Sequence, residues 1–307
     1  MKIPKFRNEP NTDFSKKSNR LKQEKALRDV ERKFGKEYPN IIGRDRVTGG
    51  EMIASLNPSN PPQVVGYFQK GTADDALKAV GVALAAFETW KNVPPAKRAA
   101  YLFKAAKVMR KKRFELNAVE SFEVGKTWTE ADGDVAEAID FCEFYAREML
   151  RYAQMKTAIQ LPGEKNELVY LPLGVGVVIP PWNFPLAILA GMTTAAVVTG
   201  NTVVLKPSSD SPMTGFAFME ILNEVGLPPG VVNFVSGPGS AVGDTLVRHP
   251  KVRFISFTGS KEVGIRIYEE GAKVRPGQTW LKRVVAEMGG KDSIIVAVVD
   301  TGITTVS

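Results

Sequence analysis

Short β-branched runs that alternate with helical stretches in the second half of this chain constrain its fold more than any other feature. Residues 174–180, 202–206, 231–235 and 252–257 are nearly continuous apolar runs, each suited to a strand buried on both faces. Helical spacing marks the stretches 184–199, 211–225, 238–248 and 260–273, and Gly226 stands where a helix-terminating glycine belongs. A fifth apolar run covers 293–299. Such alternation predicts an α/β fold: a parallel sheet with helices on both faces. Sheets of this kind bind ligands outside the carboxyl ends of their strands, so the loops that follow the strands are where chemistry is sought.

The first half reads differently. Residues 1–70 mix charge runs with turn signals, and Asn57-Pro-Ser-Asn-Pro-Pro62 excludes a helix interior, which predicts an arm with short strands. Residues 71–154 are expected to be helical. Thr72 and Asp75 form a capping signature, and Leu77, Val80, Leu84 and Phe87 fall on one helical face. A second long helix starts at Pro95 and carries the basic run 107–113, read as a solvated face. A third starts near Thr129, with Val135, Ile139, Cys142, Ala146 and Met149 in one stripe. Residues 155–172 read as a hairpin turning at Pro162-Gly-Glu164.

Composition excludes several kinds of function. The chain has one cysteine and one histidine, so neither an internal disulfide framework nor a Cys/His zinc cluster is available. Cys142 falls on a core stripe, where a thiol is inert. His249, between a helix and a strand, reads as a turn residue. The net charge is +8, but the basic residues are dispersed among acids, which argues against nucleic-acid binding. No apolar run is long enough to span a bilayer, and the polar start with early acids lacks a secretory or transit pattern, so a cytoplasmic location is expected.

Each strand-end loop carries a candidate group. The first is Pro180-Pro-Trp-Asn-Phe-Pro185, whose prolines stiffen the backbone around Asn183. That asparagine either donates its amide to a developing oxyanion or bonds its own turn. Lys206 ends the second strand, within reach of a ribose hydroxyl or phosphate. The third leads into Gly237-Pro-Gly-Ser-Ala-Val-Gly243, one residue longer than the usual dinucleotide fingerprint. The fourth leads into Phe257-Thr-Gly-Ser-Lys-Glu-Val-Gly264, a small-residue turn opening a helix whose N–H groups suit a pyrophosphate. Glu287, before Met288-Gly-Gly-Lys291, is a carboxylate on permissive backbone, suited to a general base that changes position.

In this order these motifs resemble the aldehyde dehydrogenase superfamily, and the resemblance covers nearly the whole chain. Finer features are similar to its glutamate γ-semialdehyde (1-pyrroline-5-carboxylate) branch: Phe6-Arg-Asn-Glu-Pro10, Asp13-Phe-Ser15, Tyr38-Pro39, Gly125-Lys126, Glu130-Ala-Asp132, Arg253-Phe-Ile-Ser-Phe257 and the Gly277–Val284 lead-in to Glu287. The resemblance implies NAD(P)-dependent oxidation of that semialdehyde to glutamate, in proline degradation. A cysteine thiolate attacks the aldehyde, Asn183 stabilises the resulting oxyanion, and Glu287 activates the water that hydrolyses the thioester. It implies a cofactor site made by Ile179, Pro180, Pro181, Trp182, Lys206, Ser208, Ser209, Gly239, Gly243, Phe257, Thr258, Gly259, Ser260, Val263, Met288 and Gly289. It further implies a five-stranded Rossmann variant over 173–290, an oligomerisation arm over 155–172, and a homo-oligomer for the full-length enzyme. Phe184 and Glu123 are candidates for the substrate tunnel and its mouth.

Two departures stand out. Many NAD-specific relatives carry a glutamate where this chain has Ser209, which predicts NAD preference with tolerance for NADP. The nucleophile is expected downstream of Glu287 in a catalytic domain of which residues 291–307 would be only the start. The expected reading is therefore a C-terminally truncated chain, inactive by itself.

Overall fold

The computed structural model describes residues 4–154 and 158–294. The chain opens with α1 (Lys17–Glu31) and five short strands, β1 (Glu37–Tyr38), β2 (Asn40–Ile42), β3 (Asp45–Val47), β4 (Met52–Leu56) and β5 (Val64–Gln69). Helices α2 (Ala73–Trp90), α3 (Pro95–Lys111), α4 (Arg113–Glu123) and α5 (Trp128–Tyr152) follow. The alternating half then runs β6 (Val175–Ile179), α6 (Ala187–Val198), β7 (Thr202–Leu205), α7 (Pro212–Glu224) and β8 (Val232–Phe234). A wide helical turn, Gly239–Gly243, leads into α8 (Asp244–Arg248), and β9 (Val252–Thr258), α9 (Lys261–Ala272) and β10 (Arg283–Glu287) complete the described chain.

The main sheet has the order β10-β9-β6-β7-β8-β2-β3. Its first five strands are parallel, whereas β2 and β3 from the N-terminal segment pair antiparallel at the β8 edge. The chain builds outward from β6 through β7 to β8, then crosses back to β9 on the other side of β6. A crevice opens at such a reversal, because the helices that follow the two central strands leave in opposite directions. A second sheet, β1-β5-β4, lies within the N-terminal arm.

Period-two alternation assigns the strand side chains to two cores. Val178, Val203, Leu205 and Phe254 pack with α3, α5, α6 and α7, while Val175, Val177, Val204, Val252, Ile255 and Phe257 pack with α2, α8 and α9. Gly176 makes this closure possible, since a Cβ there would lie 2.1 Å from Cζ of Phe254 on the neighbouring strand. The Thr72–Asp75 capping box opens α2, and a second, Thr127–Glu130, opens α5. The α5 stripe from Val135 to Met149 is buried as its spacing predicts.

Several expectations are corrected. Helix α1 is absent from the sequence reading; its inward face is short, with Gln23 and Val30 buried and Ala26 and Leu27 packed against the core among charged neighbours. The second long helix breaks at Lys112 into α3 and α4. Helix α2 buries Ala76, Ala79, Val80 and Ala83 while Leu77 is exposed, because alanines let it lie close enough for Thr202 Oγ1 to donate to the Ala83 carbonyl. The basic run is not wholly solvated, for Arg113 is buried against Asp132. Of the predicted hairpin, 155–157 lie outside the described residues. Residues 158–172 hold the turn at Gly163 but no strand, as side-chain bonds between Gln160 and Asn166 close it instead of a ladder. Two isolated strands without an apolar layer beneath them are marginal. The fifth sheet strand is Arg283–Glu287, not 293–299; Ser293 and Ile294 are not in a strand, and 295–299 lie outside the described residues.

Candidate active site

The carboxyl ends of β6, β7, β9 and β10 border one cleft of about 660 Å³. Every residue that the sequence reading assigned to the cofactor lines it, from Ile179 to Gly289, together with Asn183. Asp210, Asp244, Val247, Arg266 and Ile267 also line it and escaped that reading. Arg266 follows Val263 by one turn of α9 and Val247 follows Gly243 by one turn of α8, so helical spacing from the named positions would have found both.

Lys206 enters the cleft from the end of β7. Its backbone N–H donates to Val178 at 2.9 Å, which fixes it to the neighbouring strand. The side chain is buried, and its Nζ donates to the Pro207 carbonyl at 3.1 Å. Burial holds its ammonium down to about 8, with Asp210 pulling weakly the other way. A buried ammonium that has one carbonyl and, among the described residues, no carboxylate in contact retains donors for hydroxyls or an anion. Across the cleft, Ser260 caps α9, its Oγ accepting the Val263 N–H. The helix start presents partial positive charge there. A Cβ at Gly239 would meet no protein atom within 4 Å, so that backbone stays open to a close-lying ligand. A cleft lined by a buried cation and a capped helix start fits a dinucleotide.

Asn183 and Glu287 stand on different sides of this arrangement. Asn183 is exposed on the cleft and, among the described residues, its side chain makes no hydrogen bond. Of the two alternatives left by the sequence, bonding to its own turn is thus not the one seen. Glu287 is exposed at the end of β10, paired with Thr258. It lines not the cleft but an adjoining groove of about 460 Å³, which shares Phe257 and Thr258 with it and is otherwise bounded mainly by α5 and α6.

Other candidates fall elsewhere. Cys142 is completely buried in α5, and burial pushes its thiol up to about 12. Glu123 is buried and does not stand free at a mouth; its carboxylate accepts from Ser55 Oγ, Met213 N–H, Thr214 N–H and Thr214 Oγ1, capping α7. Phe184 is exposed, with Lys126 Nζ 4.3 Å from its ring centroid. His249 terminates α8 and its Nδ1 accepts the Lys251 N–H, in keeping with a turn role. No group of three potential metal ligands, and no helix long and apolar enough to cross a membrane, occurs among the described residues.

Comparison with known proteins agrees with this geometry. The profile of the aldehyde dehydrogenase family matches residues 46–301. The 1-pyrroline-5-carboxylate dehydrogenase of Bacillus mycoides is 55% identical over 291 residues, which is 95% of this chain and 56% of that protein. Among solved structures, a 1-pyrroline-5-carboxylate dehydrogenase from Thermus with bound NAD superposes with a TM-score of 0.93 at 50% identity, covering 95% of this chain and 57% of that one. The NAD-bound Δ-pyrroline-5-carboxylate dehydrogenase of Mycobacterium tuberculosis gives 0.87 at 32% identity, covering 95% and 55%. This chain spans a little over half the length of the curated relatives it matches.

Proposed function

Because this chain belongs to the aldehyde dehydrogenase family, we propose that it forms the dinucleotide site for oxidation of L-glutamate γ-semialdehyde to L-glutamate, a step of proline degradation, and supplies two side chains to the reacting centre. The observation that carries this reading is the convergence of Lys206, Ser260 and Asn183 on one cleft, with Glu287 in the groove beside it. When bound, the dinucleotide supplies the two-electron acceptor. Lys206 holds a ribose hydroxyl, and the first turn of α9 faces the pyrophosphate. Asn183 donates its side-chain amide to negative charge developing on the substrate oxygen. Glu287 takes a proton from the water that releases the acid. NAD is the preferred acceptor and NADP is tolerated, since Ser209 brings no carboxylate to oppose a 2′-phosphate. The full-length enzyme acts as a homo-oligomer.

Cys142 supports a more restricted reading of these 307 residues. The reaction requires a thiolate, and a wholly buried thiol held near 12 provides none at neutral pH. The chain by itself therefore binds the dinucleotide without turning over the semialdehyde. Calorimetric titration with NAD and an NADH absorbance assay with the semialdehyde test both parts. Binding without turnover is expected. Failure to bind NAD would overturn the cofactor assignment, and turnover that survives Cys142→Ala would overturn the chemistry. Turnover abolished by Cys142→Ala would make that residue the nucleophile.

A further inference from the structure

Three ionisable side chains from α4, the α4–α5 turn and α5 meet beneath the loop that carries Asn183. Lys126 Nζ is bonded to Asp134 Oδ2 and lies 3.3 Å from Glu120 Oε2. Glu120 and Asp134 are completely buried, and Lys126 nearly so. The same ammonium faces the Phe184 ring at 4.3 Å, an attraction strengthened by its removal from water. The second Asp134 oxygen, Oδ1, accepts the Ala187 N–H at 2.5 Å. Ala187 opens α6, and Leu186 before it has no side chain able to cap. A carboxylate from another helix thus satisfies an orphan donor and complements the positive end of α6.

The loop is consequently held at two points, Phe184 and Ala187, on either side of Pro185. The fixed φ of proline leaves little slack between them, and Asn183 directly precedes the first. Charge balance explains how the cluster tolerates burial. Two carboxylates face one ammonium, and Glu137, one turn beyond Asp134, brings a third towards it. Neither Glu120 oxygen has a hydrogen-bonding partner among the described residues. Two carboxylates sharing one ammonium away from water disfavour full charge on both. Burial first, and the neighbouring Asp134 second, push the Glu120 carboxyl well above its usual range.

We propose that Lys126, bonded to Asp134 and close to Glu120, is the positioning residue for the Asn183 loop, holding the amide where substrate charge develops. The proposal rests on the role given above to Asn183 and names what keeps it in place. It is tested on the 307-residue chain by two readouts: hydrogen exchange at the Ala187 amide, with β7 amides as internal reference, and the side-chain amide resonance of Asn183. ADP titration reports separately on the Lys206 side of the cleft. In Lys126→Met, Asp134 loses its ammonium partner and with it the fixed position from which Oδ1 holds the Ala187 N–H, so Ala187 should exchange about tenfold faster or more. The Asn183 resonance should broaden, while β7 exchange and ADP affinity stay unchanged. Lys126→Arg should restore both readouts, and Glu120→Gln should leave them as in the parent chain. Unchanged Ala187 exchange in Lys126→Met, or equal acceleration in β7, would overturn the proposal, and acceleration in Glu120→Gln would overturn the assignment of the hold to Lys126 and Asp134. ADP failing to bind the parent chain would count against the cofactor reading, while the exchange comparison would still decide the role of Lys126.

Discussion

Glu287 and Thr258 face each other across paired strands, and the Gly259 N–H donates to the Glu287 carbonyl at 3.1 Å. The candidate base is thereby tied through its backbone to the turn that opens α9, while its side chain is left free on the groove. A fixed main chain with an exposed carboxylate suits the general-base role proposed for it.

Lys206 should dominate dinucleotide affinity and its dependence on pH. Replacing it by methionine removes a charged donor worth about 1.5–3 kcal/mol, so NAD should bind roughly ten- to a hundredfold more weakly. Because its ammonium is held at about 8, affinity in the parent chain should be flat below that pH and fall as pH rises through it. Lys206→Met should abolish that dependence. The sign for folding is opposite: between about 8 and the ordinary lysine value the unfolded chain binds more protons, so this group makes the fold more stable as pH rises. Calorimetry across this range and thermal unfolding in the same buffers check both.

Ser209→Glu should sharpen the choice of cofactor. A carboxylate at this point of the cleft would repel a 2′-phosphate at close range, costing NADP about 1–3 kcal/mol more than NAD. Competition titrations that leave the NAD/NADP ratio unchanged would place the ribose elsewhere in the cleft.

Asp132→Ala should destabilise the chain by about 3 kcal/mol, since buried Arg113 would lose its two short bonds and keep only Glu9, 3.4 Å from Nη1. Asp132 accepts Thr12 N–H and Oγ1, Arg113 Nε and Nη2, and Asn117 Nδ2. Burial pushes its carboxyl up, but these donors outweigh burial and hold it below the usual range. Its contribution is therefore complete above the unfolded pKa and disappears as pH falls through the lower folded value. Urea unfolding at neutral and acidic pH should show the difference between the two chains shrink in acid.

Cys142 should resist alkylation by iodoacetamide in the native chain at pH values where a free cysteine reacts, and react fully in urea. Rapid native labelling would contradict its burial and the thiol value near 12.

The alternating half of the fold was legible because a strand buried on both faces has few sequence solutions. The cleft was legible because its loops use residues with narrow roles: prolines around Asn183, a lysine at a strand end, glycines beside a helix start. The missing parts have other causes. Helix α1 packs only Ala26, Leu27 and Val30 as an apolar stripe within an otherwise charged segment, so periodicity had little to report. Glu123 lay in an unremarkable helical pattern, and its partners Ser55, Met213 and Thr214 are distant in sequence. Arg113 looked like part of a solvated basic run because Asp132, across the α4–α5 turn, gives no sign in sequence of pointing towards it. For Glu123 and Arg113 the decisive contact is tertiary, and residue type alone does not encode it.

The antiparallel closure of the main sheet by β2 also has a temporal consequence. Ile41 pairs with Phe234, and Gly43 donates its N–H to Asn233 across a separation of 190 residues. During synthesis at roughly 5–20 residues per second, β2 leaves the ribosome some tens of seconds before β8 exists. Throughout that interval Ile41, buried in the finished fold, lacks its strand partner Phe234. The sheet edge at β8 is thus sealed by a strand made well before it.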